Sequence, residues 1–512
     1  MTSEPRRIAA HAAANYGGQL LPILIGLVLT PFMLRSLGPE LYGIWAFVVA
    51  VQGLGGVLDF GLTSSVVKFV AGHGRDGGDD ELSSIVASSF AIHLAIGTVL
   101  LVGFVLALLV LPPGSVDEQH DPVVRLALAV AAVSVAFGLP LGTLGSVLLG
   151  YRGYGAANVV NIVVSLASAA ATVLALLVGA GPVVLVAIGG GSALVAHAAK
   201  AAWAARLRPG LVLRPRHVTP SMIRRIGGFS IWLFVVDTGR KIFYNLDAVL
   251  IAALLPITSV GLYNVAFKAA SGIAYLAGPF VQVLFPAAAS YAARDERARL
   301  RDLVVGGTRL SLVLTLPAVV WLVVLGPRIL AAWVGPGYDD AVPALRVLSL
   351  VFLLGALQAP SAVLLRGIGE VRAIAAVVAA EYVVNIILTV TLLPVVGIVG
   401  AAIGTLVPQS ISGLIVVPWL ACRAVGVGYR TFLRRAVLPA VLVAVPTLLV
   451  LVAFDTLAVA DAWPGVIAAG LLSVAVFGGL YLLTTASHAE RAIARDTASS
   501  AARRLVARTR PS

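Results

Sequence analysis

Along most of its length this chain is a succession of apolar segments of about 20 residues, each long enough to cross a bilayer as a helix. None alternates apolar and polar residues with period two, as the strands of a membrane barrel do. A spanning segment has no water to satisfy its backbone, and a helix satisfies it from within. Segments at 16–35, 41–62, 84–111, 123–149, 157–179, 182–205, 229–254, 259–286, 303–325, 342–365, 373–393, 397–421, 437–455 and 463–485 predict 14 transmembrane helices. Only 12% of the residues are charged, 60% are hydrophobic and the mean hydropathy is +1.01, which excludes an ordinary soluble domain. The expected fold class is an all-α polytopic membrane protein.

The net charge of +13 follows topology and does not mark a nucleic-acid surface. Of the 36 lysines and arginines, 28 lie in or beside segments that face one side of the membrane, and four in or beside those that face the other. By the positive-inside rule this places both termini in the cytoplasm. Arg6 and Arg7 precede a first apolar segment without a small-residue cleavage site, so it reads as a span and not as a removed signal peptide. The tail after Ser487, with Arg491, Arg495, Arg503, Arg504, Arg508 and Arg510, is expected to rest on anionic headgroups. One cysteine, Cys422, allows no intrachain disulfide and no multi-cysteine metal site.

The chain resembles itself at an offset of about 217 residues. Gly38-Pro39-Glu40-Leu41-Tyr42-Gly43-Ile44-Trp45 returns as Pro256-Ile257-Thr258-Ser259-Val260-Gly261-Leu262-Tyr263, and Leu148-Leu149-Gly150-Tyr151-Arg152-Gly153 as Leu364-Leu365-Arg366-Gly367-Ile368-Gly369. Gly181, before the sixth span, has its counterpart in Gly397, before the twelfth. Six spans separate equivalents, so the halves enter the membrane in the same sense. The expected organisation is two parallel six-helix repeats, 1–206 and 229–422, joined by a basic cytoplasmic linker, 207–228. Two further spans, 423–486, and a basic tail, 487–512, follow. Such repeats suit a transporter that rocks one half against the other around a midplane site. Gly53, Gly55 and Gly56 in span two read mainly as packing positions, while Pro140, Pro279 and Pro286 are expected to kink spans four and eight.

The segment 229–254 carries charges that a greasy helix should not hold. At about 100° per residue, Asp237, Arg240, Lys241, Tyr244 and Asp247 share one face, opposite Ile242, Phe243, Leu246, Val249 and Leu250. Each charge at the bilayer centre costs on the order of 3 kcal/mol, so this face needs a wet or paired environment. A structural salt-bridge cluster is one reading, and an intramembrane site the other. In the next span Lys268 shares a face with Asn264, Ser271, Tyr275 and Gln282. Three cations, Arg240, Lys241 and Lys268, outnumber Asp237 and Asp247, a surplus suited to an anionic substrate and above all to phosphate. Asp59, with Lys68 beyond it, is either a gating pair or a helix-end charge. Glu381, one turn before Asn385, is either a coupling carboxylate for a proton or cation or the counter-ion of a cavity cation. Arg309, one turn inside span nine, is expected to snorkel to the surface.

Signals of an enzyme are poor. Gly189-Gly190-Gly191 lies in an apolar span with no following Lys-Ser/Thr, so it is not a phosphate loop. His93 and His197 stand at no metal-ligand spacing and read as lone packed histidines. No cofactor, metal or nucleic-acid partner is expected.

Leu37-Gly38-Pro39-Glu40-Leu41-Tyr42-Gly43-Ile44-Trp45, Leu58-Asp59-Phe60-Gly61-Leu62, Asp247-Ala248-Val249-Leu250-Ile251, Val260-Gly261-Leu262-Tyr263-Asn264-Val265-Ala266-Phe267-Lys268 and Leu284-Phe285-Pro286 together resemble the polysaccharide-biosynthesis flippases. These are the Wzx-type O-antigen and exopolysaccharide translocases of the MATE-like exporter superfamily. The resemblance implies translocation of a polyprenyl-pyrophosphate-linked oligosaccharide to the outer leaflet of a bacterial inner membrane by alternating access. It matches Asp247, Tyr263 and Lys268 to family motif positions; Arg240, Lys241 and Glu381 come from helical phase and depth. Expected partners are the lipid-linked oligosaccharide, membrane lipids, a polysaccharide polymerase and glycosyltransferases, with the protein acting as a monomer. The rivals are a lipid II-type flippase and a MATE-type drug exporter, the latter expected to have 12 spans and a carboxylate-rich cavity.

Overall fold

The computed structural model describes residues 4–73, 79–110, 119–151, 153–208, 210–226, 245–457, 463–486 and 491; side chains are described at 21 and from residue 24 onward, except at 73 and 79. The described residues form helices and connecting turns, with no strand. In chain order the helices are α1 (Glu4–Gly55), α2 (Leu62–His73), α3 (Asp79–Val110), α4 (Asp121–Gly150), α5 (Tyr154–Leu177), α6 (Pro182–Leu207) and α7 (Asn245–Leu254). They continue with α8 (Ile257–Ala293), α9 (Arg297–Val334), α10 (Val342–Gly367), α11 (Val371–Val396), α12 (Ile398–Val425), α13 (Tyr429–Thr456) and α14 (Trp463–Thr485). Among the described residues twelve helices are long and apolar enough to cross a membrane.

Two of the 14 expected spans fall within one of those twelve. Leu24–Asp59 counts once, but it bends at Gly38, whose φ of 76° lies in the left-handed region that a side chain disfavours. The segment 229–254 contributes only α7, because 227–244 lies outside the described residues.

The helices group into two compact units, Met1–Ala269 with Arg372–Pro408, and Ala270–Val371 with Gln409–Ser512. In the first unit, Val66 and Val70 of α2 pack with Leu82 and Val86 of α3, Val147 and Leu148 of α4, Ala157 of α5 and Ala204 of α6. Between α1 and α2 the chain tightens into a 3-10 turn at Gly56–Asp59, and Phe60 and Gly61 both take positive φ, 49° and 71°. This break lets α2 leave the axis of α1 and lay Leu62 against Ile85, Met222 and Ile226. Two of the three glycines of span two are packing positions: a Cβ on Gly55 would strike Val135 and one on Gly53 the side chain of Asn245, whereas one on Gly56 would meet nothing within 4 Å.

In the second unit α9 is the hub, packed against α10, α13 and α14. Polar contacts pin the last two helices along its length. Arg328 pairs with Asp455 at 2.7 Å, the Trp321 indole donates to the Val466 carbonyl at 3.0 Å, and the Ser473 hydroxyl donates to the Pro317 carbonyl at 2.8 Å. Arg309 does not reach freely for the surface. Its guanidinium donates to the Tyr481 hydroxyl at 2.6 Å and the Thr485 carbonyl at 2.7 Å, where the last helix turns into a π-helical end.

Two helices end on glycines packed against a neighbour. A Cβ on Gly150 of α4 would lie 2.5 Å from Val70, near the end of α2. A Cβ on Gly367 of α10 would lie 2.8 Å from Ala288, near the end of α8. Both allow a backbone approach that a methyl would block.

Candidate transport site

Lys268, on α8, lies in the first unit with its ammonium among groups contributed by α1. It donates to the Thr30 hydroxyl at 3.0 Å and the Tyr42 hydroxyl at 3.2 Å. The same ammonium stands 4.9 Å from the centre of the Trp45 indole and 5.6 Å from that of the Tyr42 ring. Tyr42 passes the polarity on, donating to Asn264 Oδ1 at 2.8 Å. A lysine in an apolar helix needs such company, since ring faces attract a cation and hydroxyl oxygens accept its hydrogen bonds. Tyr42 and Trp45 lie on α1 and Asn264 and Lys268 on α8, and Gly43 and Gly261 meet where these two helices cross.

Asp247, on α7, begins a second polar network. Its Oδ2 accepts from the Tyr263 hydroxyl at 2.5 Å and from the Thr405 hydroxyl at 3.3 Å. Thr405 in turn accepts from the Asn385 amide at 3.0 Å. Asp247 is 4% exposed, and its Oδ1 has no hydrogen-bond partner among the described residues. On α11 the buried residues Glu381, Asn385, Thr389 and Leu393 recur every four positions, so Glu381 sits one turn from Asn385 on the same buried face. Thr389 is drawn close to α12, where a Cβ on Gly404 would meet its backbone nitrogen at 2.8 Å. A buried carboxylate oxygen without a donor costs several kcal/mol, and a bound proton or small cation relieves that cost.

Asp59 lies at the break before α2. Its carboxylate accepts from the Thr63 hydroxyl at 2.5 Å and backbone amide at 3.3 Å, capping α2, and meets His93 Nε2 at 2.9 Å. The other ring nitrogen of His93, Nδ1, meets the Thr143 hydroxyl at 2.6 Å. His93 is therefore packed, as its sequence context suggested, and ties α3 to α4 and to the break in span two. Lys68 is exposed on α2, 5.9 Å from the ring of Phe69. Tyr275 lies in the second unit and is 41% exposed. Asp237, Arg240, Lys241 and Tyr244 lie outside the described residues.

Sequence reasoning passed over Thr30, Thr405 and Thr143 entirely. Each is a lone hydroxyl in an apolar span, a pattern that more often reflects a bond to its own helix. Tyr42 and Trp45 were visible as repeat residues, yet nothing in spacing alone says that their rings frame a lysine 220 residues on.

The described residues form an all-helical fold with twelve helices long and apolar enough to cross a membrane, and they hold buried polar networks. A family model described as "Polysaccharide biosynthesis protein" matches residues 8–292, so the chain belongs to that family. It is 23% identical over 421 residues to a protein of Shigella flexneri named "Putative O-antigen transporter", covering 81% of this chain and 98% of that one. Among solved structures it resembles the lipid II flippase MurJ in an inward closed conformation, with TM-score 0.65 and 14% identity over 92% of this chain and 98% of that one. It also resembles an inward-facing multidrug MATE transporter, with TM-score 0.58 and 14% identity over 79% of this chain and 99% of that one.

Proposed function

We propose that the protein is a flippase of a bacterial inner membrane that moves a polyprenyl-pyrophosphate-linked oligosaccharide, the repeat unit of an O-antigen, exopolysaccharide or capsule, to the outer leaflet. It works by alternating access of two parallel six-helix repeats, with 14 spans and both termini cytoplasmic. The bend at Gly38 within Leu24–Asp59 and the short α7 at the end of 229–254 support the count.

The observation that carries the reading is the placement of Lys268, an ammonium framed by Thr30, Tyr42 and Trp45 inside apolar helices. A pyrophosphate cannot cross hydrocarbon unaided, whereas a polyprenyl tail can remain in lipid. The protein therefore has to supply a cationic path for the head only. Lys268 with Arg240 and Lys241 is that path. Asp247, with Glu381 near its network, is the coupling site: it takes up a proton or cation on Oδ1 in one conformation and releases it in the other. The rings beside Lys268 also suit sugars, which pack their apolar faces on aromatic side chains. The substrate and membrane lipids are the protein's principal partners, and a polymerase and glycosyltransferases act before and after it.

Appearance of lipid-linked sugar in the outer leaflet of cells with equal membrane levels of the protein tests this. Changing Arg240, Lys241 and Lys268 together to Gln should abolish it, and normal export by that variant would refute the site.

A further inference from the structure

Outside the sites above, the first unit holds another pair of basic groups deep in a span. His197 and Lys200 lie three residues apart on α6, hence on one face. That face packs on α4 where two glycines are also three apart. The His197 ring lies 3.5 Å from where a Cβ of Gly142 would stand, and the Lys200 stem 3.3 Å from where a Cβ of Gly145 would stand. Bare backbone on α4 thus admits an imidazole and a lysine stem side by side. Both residues are half-buried. Neither has a hydrogen-bond or ion-pair partner among the described residues.

The same face leads to the end of the helix. Ala204, one turn on, is buried in the core, and Arg208, one turn further, donates to the Tyr151 hydroxyl at 3.1 Å and covers its ring. Lys200 is seven residues from the end of α6 at Leu207, about 10 Å at 1.5 Å per residue. A lysine at that depth can extend its ammonium to the headgroup layer unaided. His197 is deeper by about another 5 Å and has too short a side chain to do so. A simple anchor does not account for placing it beside the lysine over a gap in α4.

We propose that His197 and Lys200, over the Gly142–Gly145 gap of α4, form an anion subsite that receives the phosphate of a lipid headgroup entering from the cytoplasmic side. This deepens the flippase reading and rests on it for the direction of entry. The phosphate belongs either to the substrate's pyrophosphate or to a bilayer phospholipid. Lysine supplies a point charge and the imidazole a second donor, a pair that matches a phosphate's adjacent oxygens.

The test uses the full chain in nanodiscs of phosphatidylcholine, titrated with farnesyl pyrophosphate, and in nanodiscs containing phosphatidylglycerol, with retained lipid counted by native mass spectrometry. His197→Gln, Lys200→Gln and the double variant are compared with Lys200→Arg, all with thermal melting to establish folding; if the double variant does not fold, the single variants decide. The expected result is a Kd for farnesyl pyrophosphate raised about tenfold by Lys200→Gln, the loss of one charge-assisted hydrogen bond, and kept within about threefold by Lys200→Arg. Unchanged farnesyl pyrophosphate binding with loss of retained phosphatidylglycerol supports the subsite and assigns it to a bilayer lipid. If the wild type retains phosphatidylglycerol through this pair but binds no farnesyl pyrophosphate, the flippase reading fails while the subsite stands. Folded Gln variants that leave both kinds of binding unchanged overturn the proposal.

Discussion

Replacing Gly43 with alanine sets a methyl group where α1 crosses the start of α8. A Cβ there would lie 3.0 Å from the carbonyl carbon of Ile257 and closer still to its oxygen. Those atoms are backbone and cannot swing aside, so relief requires the two helices to part by about 1 Å. Overpacking of this kind costs roughly 1–3 kcal/mol. A middle value of about 2 kcal/mol, set against 1.4 kcal/mol per factor of ten, weakens the closed crossing about 30-fold. The partner glycine provides the control. A Cβ on Gly261 would lie 3.3 Å from the Tyr42 ring and 3.4 Å from the Pro39 oxygen, which shifts of a few tenths of an ångström relieve at a cost below about 1 kcal/mol. The probe is Ile257→Cys in a Cys422→Ala background, since Ile257 is 5% exposed at the crossing and Cys422 is the chain's one native cysteine. Maleimide labelling of the probe should rise about 30-fold with Gly43→Ala and stay within about fivefold with Gly261→Ala. Equal labelling rates for the two variants would refute the reasoning that the backbone contact at Gly43 is the tighter constraint on the crossing.

Asp247→Asn keeps the shape of the network but removes its titratable charge, so transport should lose its response to a proton or sodium gradient while membrane levels hold. A variant that still follows the gradient, in vesicles with each ion imposed separately, rules out coupling through Asp247. Trp321→Ala removes the bond to Val466 and the packing on Gly470, and the melting temperature of the purified protein should fall in line with a loss of about 2 kcal/mol, less than for a fully buried tryptophan. An unchanged melting temperature would mean that α14 holds to α9 without it. For topology, cysteines placed at Ser115 and Asp461 should label from outside intact cells, and failure of both in a functional protein would contradict cytoplasmic termini.

Much of the fold is legible in the sequence because the bilayer enforces it. Apolar length identifies spans without any knowledge of packing. The bend at Gly38 was not legible, because the sequence put that glycine between two spans and its left-handed backbone shows only in the fold. The polar networks were legible in part. Lys268 and Asp247 stand out because a charge in hydrocarbon is conspicuous, but their partners Thr30 and Thr405 do not, because a hydroxyl in a membrane helix is cheap and common. Which charges meet is a matter of tertiary geometry. Helical phase placed Asp247 on one face with Asp237, Arg240, Lys241 and Tyr244; it could not show that Asp247 turns to Tyr263 and Thr405 from two other helices. Asp59 shows the same limit, since Lys68 was its neighbour in sequence while His93, on another helix, is the histidine that meets its carboxylate.

The central claim is that this chain itself carries a pyrophosphate headgroup across the bilayer on a path that includes Lys268. Purified protein reconstituted in vesicles, with a fluorescent polyprenyl-pyrophosphate-linked sugar in the inner leaflet, tests it by protection of the label from a membrane-impermeant quencher. The wild type should expose the label to the quencher under an imposed proton or sodium gradient, and Lys268→Gln should slow that exposure at least about tenfold, the loss of one charge-assisted contact. Exposure at the same rate in protein-free vesicles, or in the Lys268→Gln variant, would contradict the account.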